Sequence, residues 1–297
     1  MMTEWTGVRG KRVVMTGATK GIGLAAAKQL AGSGARLAII ARSPQRGAEA
    51  AASIGSDVDV LIADLASQSD LRRLADEILE RYPRVDVLIN NAGAIYSSRQ
   101  LTVDGVERTW ALNHLAPFLL TTLLLDRLEA SAPARIITTS SAAHYGARIP
   151  FDDLTAERAY PSMGYGRYGE SKLANILFTL ELSKRLEGTG VTANCFHPGF
   201  VATSFNHNNG VLMRLGMSLA HIFARRPDKG AETLVWLADS PEVSQISGAY
   251  FMDKQVRRPS PAGRDLDAAA RLWQVSEEQT RRRSDRRAQG LLPRRKP

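Results

Sequence analysis

Cysteine is almost absent. Cys195 stands alone among 297 residues, which excludes an internal disulfide and a cysteine-built metal cluster. His144, His197, His207 and His221 fall at no metal-ligating spacing, so no metal is expected. No run of about 18 apolar residues occurs. Met1 to Lys11 is polar and passes straight into an apolar segment without a leader's hydrophobic core, so no secretory leader or membrane anchor is expected. The Gly-Lys-Ser/Thr ending of a hydrolase P-loop is missing, as are the Gly-x-Ser-x-Gly elbow of an α/β-hydrolase and any repeat at a solenoid period. Nothing calls for an oxidising compartment, and the expectation is a cytoplasmic protein.

What is present has ordinary globular proportions, with 44% hydrophobic and 23% charged residues. The formal charge of +9 suggests a nucleic-acid binder until it is divided along the chain. Residues 281–297 carry eight Arg or Lys and one Asp, leaving +2 for the other 280 residues. A nearly neutral body gives no reason to expect a specific nucleic-acid partner. The basic segment has too little apolar surface to offset its ordering entropy, so a disordered tail is expected. Contacts of that tail with phosphates or anionic lipid would be non-specific. The length suits one folded domain over 1–280 followed by the tail over 281–297.

Short apolar runs alternate with segments of helical period. Arg12 to Thr16, Arg36 to Ala41, Asp59 to Ala63, Val85 to Asn90, Arg135 to Thr139 and Val191 to His197 are predicted strands. Strands apolar on both faces and joined by helical crossovers predict an α/β fold, a doubly wound parallel sheet of the Rossmann type. Gly146 to Gly166 and Pro198 to Gly216 break the pattern and predict loops over the site. Phe205, Val211, Leu212, Met213, Leu215, Met217, Leu219, Ile222 and Phe223 give the second stretch an apolar character that suits a lid, a dimer contact or core packing.

The first strand runs into Thr16-Gly17-Ala18-Thr19-Lys20-Gly21-Ile22-Gly23, and helix-forming residues follow. A glycine-rich strand-to-helix turn lets backbone approach a pyrophosphate, and the helix N-terminus supplies free N–H groups. The spacing is Gly-x-x-x-Gly-x-Gly rather than the commoner dinucleotide fingerprint. The second strand ends at Arg42, where an NAD enzyme usually places a carboxylate for the ribose hydroxyls. A guanidinium there with the Lys20 ammonium suits a 2′-phosphate instead, which makes NADP (NADPH) the expected cofactor.

These residues belong to an ordered set. Asp64-Leu65 follows the third strand, Asn90-Asn91-Ala92-Gly93 the fourth, Asn113-His114 lies on the next helix, and Ser140-Ser141 follows the fifth strand. Tyr168-x-x-x-Lys172 and Pro198-Gly199 complete it. With these motifs in this order the chain resembles the short-chain dehydrogenase/reductase family, and within it the retinol-dehydrogenase-like branch, from about Gly10 to Tyr250. The branch also carries a comparably long interval between Ser141 and Tyr168.

Spacing places Tyr168 and Lys172 one helical turn apart on one face. A phenol titrates near 10, and a nearby ammonium favours its ionised form, so Lys172 is expected to lower the pKa of Tyr168. The resemblance implies that Tyr168 passes a proton to or from the substrate oxygen, that Lys172 also holds the nicotinamide ribose, and that Ser141, with Ser140 as its competitor, hydrogen-bonds that oxygen. It implies that Asn113 kinks its helix and holds a water joining the lysine to solvent. Asp64 and Leu65 would meet the adenine. Asn90, Ala92 and Gly93 would line the adenosine ribose, with Asn91 structural. Pro198, Gly199, Val201 and Thr203 would orient the nicotinamide. The expected activity is interconversion of a carbonyl and an alcohol on a moderately hydrophobic small molecule, with a homo-oligomer as the assembly common in the family. The alternative from another class is an NADP-binding sensor without turnover.

Overall fold

In a computed structural model the described residues are 5–55, 58–160, 162–199 and 226–281. The expected contacts of Val201 and Thr203, the lid residues from Phe205 to Phe223, and the basic tail beyond Arg281 lie outside them. The chain forms one eight-stranded sheet in the order β3-β2-β1-β4-β5-β6-β7-β8. Its strands are β1 (Arg12–Thr16), β2 (Arg36–Ala41), β3 (Val58–Ile62), β4 (Val87–Asn90), β5 (Ala134–Thr139), β6 (Val191–Phe196), β7 (Tyr250–Met252) and β8 (Gln255–Arg257). Pairing is parallel from β3 through β7, and only β8 runs antiparallel, against β7. Six strands were anticipated to within two residues at either end. β7 and β8 were not, because three-residue strands offer no readable period.

The parallel strands alternate their side chains between two apolar layers. Val14, Ala38, Ile40, Leu88 and Ile136 face one; Val13, Met15, Leu37, Ile39, Ile89 and Ile137 face the other. Helices α1 (Gly21–Gly32) and α2 (Pro44–Ile54) follow β1 and β2, and α3 (Gln68–Arg81) follows β3. Helix α4 (108–123) starts as Arg108–Trp110, passes through a π-helical turn at Ala111–Leu115 and continues as Ala116–Leu123. A short α5 (Leu125–Ala130) leads to β5, α6 (Tyr165–Arg185) to β6, and α7 (Pro227–Asp239) precedes β7.

The terminal helix α8 (Leu266–Thr280) closes the first layer. Its Trp273 stacks on Phe178 of α6 at 6.0 Å and meets Phe118 of α4 edge-on at 5.0 Å, under the Arg185 guanidinium. Among the described residues, no helix is long and apolar enough to cross a membrane.

Strand order reverses between β1 and β4, so the loops leaving these strands splay to opposite faces and open a crevice at their carboxyl ends. Trp273 locks the helices behind that crevice. Trp273→Ala should lower unfolding free energy by about 3–5 kcal/mol, read as a drop in the urea midpoint at unchanged m-value.

Candidate active site

The crevice is a cleft of about 540 Å³, lined from the glycine turn to Gly199 by the ends of β1, β2, β3, β4, β5 and β6. At one end Gly17, Thr19, Lys20, Gly21, Ile22 and Gly23 form its wall. The turn is as tight as only glycine permits: a β-carbon at Gly23 would lie 1.9 Å from the Gly17 carbonyl oxygen, and one at Gly17 2.7 Å from the Ala92 backbone. Helix α1 has no side-chain cap and no acidic residue in its first turn. Its free N–H groups and positive dipole end therefore face the cleft uncompensated, which fits an anionic pyrophosphate.

Arg42 lines the cleft as anticipated, and Arg46 joins it. The Lys20 ammonium is held below its usual pKa by partial burial and by repulsion from Arg46 and Arg42. Among the described residues none of the three cations is ion-paired. Arg46 was not anticipated because it lies on α2, beyond the strand end where such a charge is sought. Two local signals place it: Ser43 caps α2 ahead of Pro44, and Gly47, where a β-carbon would lie 2.4 Å from Val60 Cγ1, lets the helix lie close on β3.

Asp64 and Leu65 line the next stretch, with Asp64 Oδ1 accepting from Ala66 N at 3.0 Å. Ala92 and Gly93 line the middle. Asn90 does not join them: its amide donates to Thr121 of α4 at 2.9 Å, on the far side of β4. Asn91 takes the place expected for it, structural and yet in the cleft wall. Its Nδ2 donates to Gly17 O at 3.1 Å, and its Oδ1 accepts from the Thr139 hydroxyl at 3.0 Å.

The other end carries the candidate chemistry. Gly164, in a left-handed conformation at φ 83°, starts α6 against the Tyr96 carbonyl, four residues before Tyr168. Lys172 Nζ stands 5.5 Å from the Tyr168 ring centroid and donates to Thr139 O at 3.0 Å. Burial sets both protonation equilibria. It pushes the Tyr168 phenol above its usual value, with the Ser141 hydroxyl hydrogen bond working against it and Tyr165 adding to it. The same burial lowers Lys172 to about 8. The expected lowering of Tyr168 by Lys172 thus does not prevail in this geometry: desolvation of the phenolate outweighs the attraction of an ammonium that is directed to a backbone carbonyl.

The two serines separate clearly. Ser140 Oγ is buried and donates to the Lys172 carbonyl at 2.8 Å, whereas Ser141 caps the turn Ala142–His144 and meets Tyr168 across the cleft. Asn113 sits in the π-helical turn of α4, where such bulges often mark functional positions. Its Oδ1 accepts from Ala94 N, and its Nδ2 donates to Ala94 O and to Ser171 Oγ, at 2.9, 2.9 and 3.0 Å. A β-carbon at Gly93 would lie 3.2 Å from Asn113 Oδ1 and 3.4 Å from Lys172 Nζ, so the missing side chain keeps these two polar atoms facing one space. Pro198 and Gly199 line the cleft beside His197. Ile95, Tyr96, Arg108, Leu112 and Tyr165 also line it without having been anticipated, since a wall drawn from a loop and two helices leaves no spacing in the sequence.

A family profile described as short chain dehydrogenase matches residues 11–211. Retinol dehydrogenase 12 of Homo sapiens is 42% identical over 272 residues, covering 90% of this chain and 85% of that protein. Among solved structures, an uncharacterised protein from Mycobacterium paratuberculosis superposes with a TM-score of 0.76 at 33% identity, covering 94% of this chain and 98% of that one. A short chain dehydrogenase from Burkholderia cenocepacia in complex with NADP does so with a TM-score of 0.66 at 29% identity, covering 82% and 96%.

The hydrogen bonds of Asn91 yield a direct test. Asn91→Ala leaves the Thr139 hydroxyl and Gly17 carbonyl without their partner, and should cost roughly 1–3 kcal/mol of stability, measured by urea denaturation.

Proposed function

Because the chain belongs to the short-chain dehydrogenase/reductase family, with a doubly wound fold and retinol dehydrogenases among its relatives, we propose that it is an NADP-dependent oxidoreductase. It reduces the carbonyl group of a moderately hydrophobic small molecule and reoxidises the alcohol, with Tyr168 as general acid and base. The single observation that carries this reading is the convergence of Ser141, Tyr168 and Lys172 on one cleft whose other end is a glycine cradle. Tyr168 is hydrogen-bonded to Ser141 and held protonated by burial.

The cradle fits a dinucleotide. Gly17 and Gly23 leave the backbone approach open, the α1 N-terminus receives the pyrophosphate, Asp64 and Leu65 meet the adenine, and Ala92 and Gly93 the adjoining ribose. Lys20, Arg42 and Arg46 form a cationic end that suits a 2′-phosphate and disfavours the bare ribose diol of NAD. Pro198 and Gly199 orient the nicotinamide. The cofactor when bound supplies the hydride.

The chain's own residues supply the rest. Ser141 donates its hydroxyl hydrogen to the substrate oxygen and holds the carbonyl toward Tyr168. As negative charge grows on that oxygen, Tyr168 gives it the phenolic proton. The Lys172 ammonium, one turn along α6, stabilises the phenolate that remains. Asn113 Oδ1 and Lys172 Nζ border the same space beside Gly93, and a water held by Asn113 would join Lys172 to bulk solvent and resupply the proton. The apolar wall of Ile95 and Leu112 with the Tyr96 and Tyr165 rings favours a hydrophobic carbonyl compound, and the retinol dehydrogenase relatives make a retinoid aldehyde a natural member of a test panel.

Purified protein with NADPH should consume nicotinamide absorbance when given nonanal, benzaldehyde or all-trans-retinal. Tyr168→Phe should lower kcat by about 10²–10⁴-fold with NADPH affinity retained. A Phe variant as fast as the parent would remove Tyr168 from the mechanism, and tight NADPH binding without turnover of any carbonyl would favour a sensor. A charge-assisted hydrogen bond contributes about 1.5–3 kcal/mol, so Arg42→Ala should weaken NADPH binding about tenfold or more and leave NADH binding nearly unchanged. Equal losses for the two cofactors, measured by fluorescence titration, would contradict a 2′-phosphate contact.

A further inference from the structure

We infer that His144 is a positioning residue for Ser141: its imidazole braces the serine from the side opposite the cleft and so aims the hydroxyl at the substrate oxygen. The inference rests on the carbonyl-reductase reading above.

His144 is fully buried at the end of the turn that Ser141 caps. Its ring joins two backbone groups from separate parts of the chain. Nδ1 lies 2.7 Å from the Ser141 carbonyl oxygen, and Nε2 lies 3.1 Å from Ser260 N. A backbone N–H can only donate, so Nε2 presents its lone pair to Ser260. The ring proton is therefore on Nδ1 and is donated to Ser141 O. This fixes the tautomer without appeal to any titration.

Both ends of the brace are anchored. Ser260 caps the turn Pro261–Arg264. Within that turn Gly263 lies so close to α6 that a β-carbon there would stand 3.3 Å from Ile176 Cγ2. Ser141 is thereby tied through His144 to the helix that carries Tyr168 and Lys172. On the serine's own side, Ser141 Oγ accepts from Ala143 N at 3.2 Å, which occupies a lone pair and leaves the hydroxyl hydrogen directed into the cleft, where Ser141 meets Tyr168.

The ring is also gripped on its faces. Tyr145 lies at 4.0 Å and Tyr250 of β7 at 5.2 Å, centroid to centroid. These phenols are the titratable groups that face it, and among the described residues it makes no ion pair. Burial holds the imidazole below its usual pKa, partly offset by the bond to Ser141, which agrees with the neutral ring the geometry requires. An imidazolium would set a second N–H against that of Ser260 and open the brace.

A group that acts only by placing the Ser141 hydroxyl has nothing left to place once that hydroxyl is gone. The test is a double-mutant cycle in the full chain, run with NADPH and whichever of nonanal, benzaldehyde and all-trans-retinal the parent reduces fastest. His144→Ala should lower kcat about tenfold or more while the KM for NADPH stays within about twofold. In a Ser141→Ala background the same substitution should change kcat by less than about twofold. His144→Asn keeps a donor near the Nδ1 position and should recover part of the loss; where the Ala variant fails to fold, the Asn variant carries the same cycle. Equal kcat losses with and without the Ser141 hydroxyl, or no loss at all, would overturn the inference and leave the reductase reading intact. A parent protein that reduces none of the three carbonyl compounds would overturn that reading, and the role of His144 with it.

Discussion

The amide of Asn91 holds together the three strand ends on which everything in the cleft depends. Its Nδ2 grips the Gly17 carbonyl after β1, and its Oδ1 takes the Thr139 hydroxyl at the end of β5. Its own backbone N–H and that of Ala92 are bound by Thr16 Oγ1. The Thr139 carbonyl then receives Lys172 Nζ and Asn175 Nδ2 from α6. The glycine turn and the helix that carries Tyr168 and Lys172 are thus joined in one hydrogen-bonded frame. Hydride transfer tolerates little misplacement of the reacting atoms, and a frame fixed before the substrate arrives spares the reaction that ordering cost.

Burial sets the proton balance within this frame. Taking Tyr168 and Lys172 out of water favours the neutral form of each, raising the phenol and lowering the ammonium to about 8. The proton therefore rests on the tyrosine, which suits the general-acid role proposed for it. An oxygen gaining charge from an incoming hydride becomes more basic than a phenolate, so in the proposed reaction transfer from Tyr168 would run downhill only once hydride transfer is under way. The Ser141 hydroxyl, which opposes the rise of the phenol's pKa, keeps that proton from being bound too tightly to give up. In the proposed mechanism Tyr168 would depend on the serine on one side and the lysine on the other.

What the sequence made legible follows from how much of each feature is local. Strand β1, the glycine turn and the Tyr168–Lys172 pair are encoded within a few residues by period or spacing, and the fold class followed from their alternation with helices. β7 and β8 were invisible because three residues show no period. Asn90 and Asn91 are adjacent polar residues, and which of them faces the cleft depends on strand pleat and on where α4 packs. Arg46 reaches the cleft only because Gly47 lets α2 settle against β3. The expected dominance of Lys172 over the Tyr168 pKa counted charge without burial, and burial is a property of the assembled fold.

The same distinction separates the two ends of the cleft. The cradle offers a ligand backbone N–H groups and three cations with no acidic partner among the described residues. The Lys20 ammonium is disfavoured first by burial and then by repulsion from Arg46 and Arg42, a repulsion that a bound dianionic phosphate would relieve. A selectivity for the 2′-phosphate, as proposed, would be electrostatic and sensitive to salt. At the Tyr168 end Lys172 is buried, Ser141 and Tyr168 are half-buried in the cleft wall, and on the proposed reading they would discriminate by position and desolvation instead. On the proposed reading a single cleft would hold its cofactor by charge and select its substrate by shape, with the hydrogen bonds around Asn91 joining the two ends.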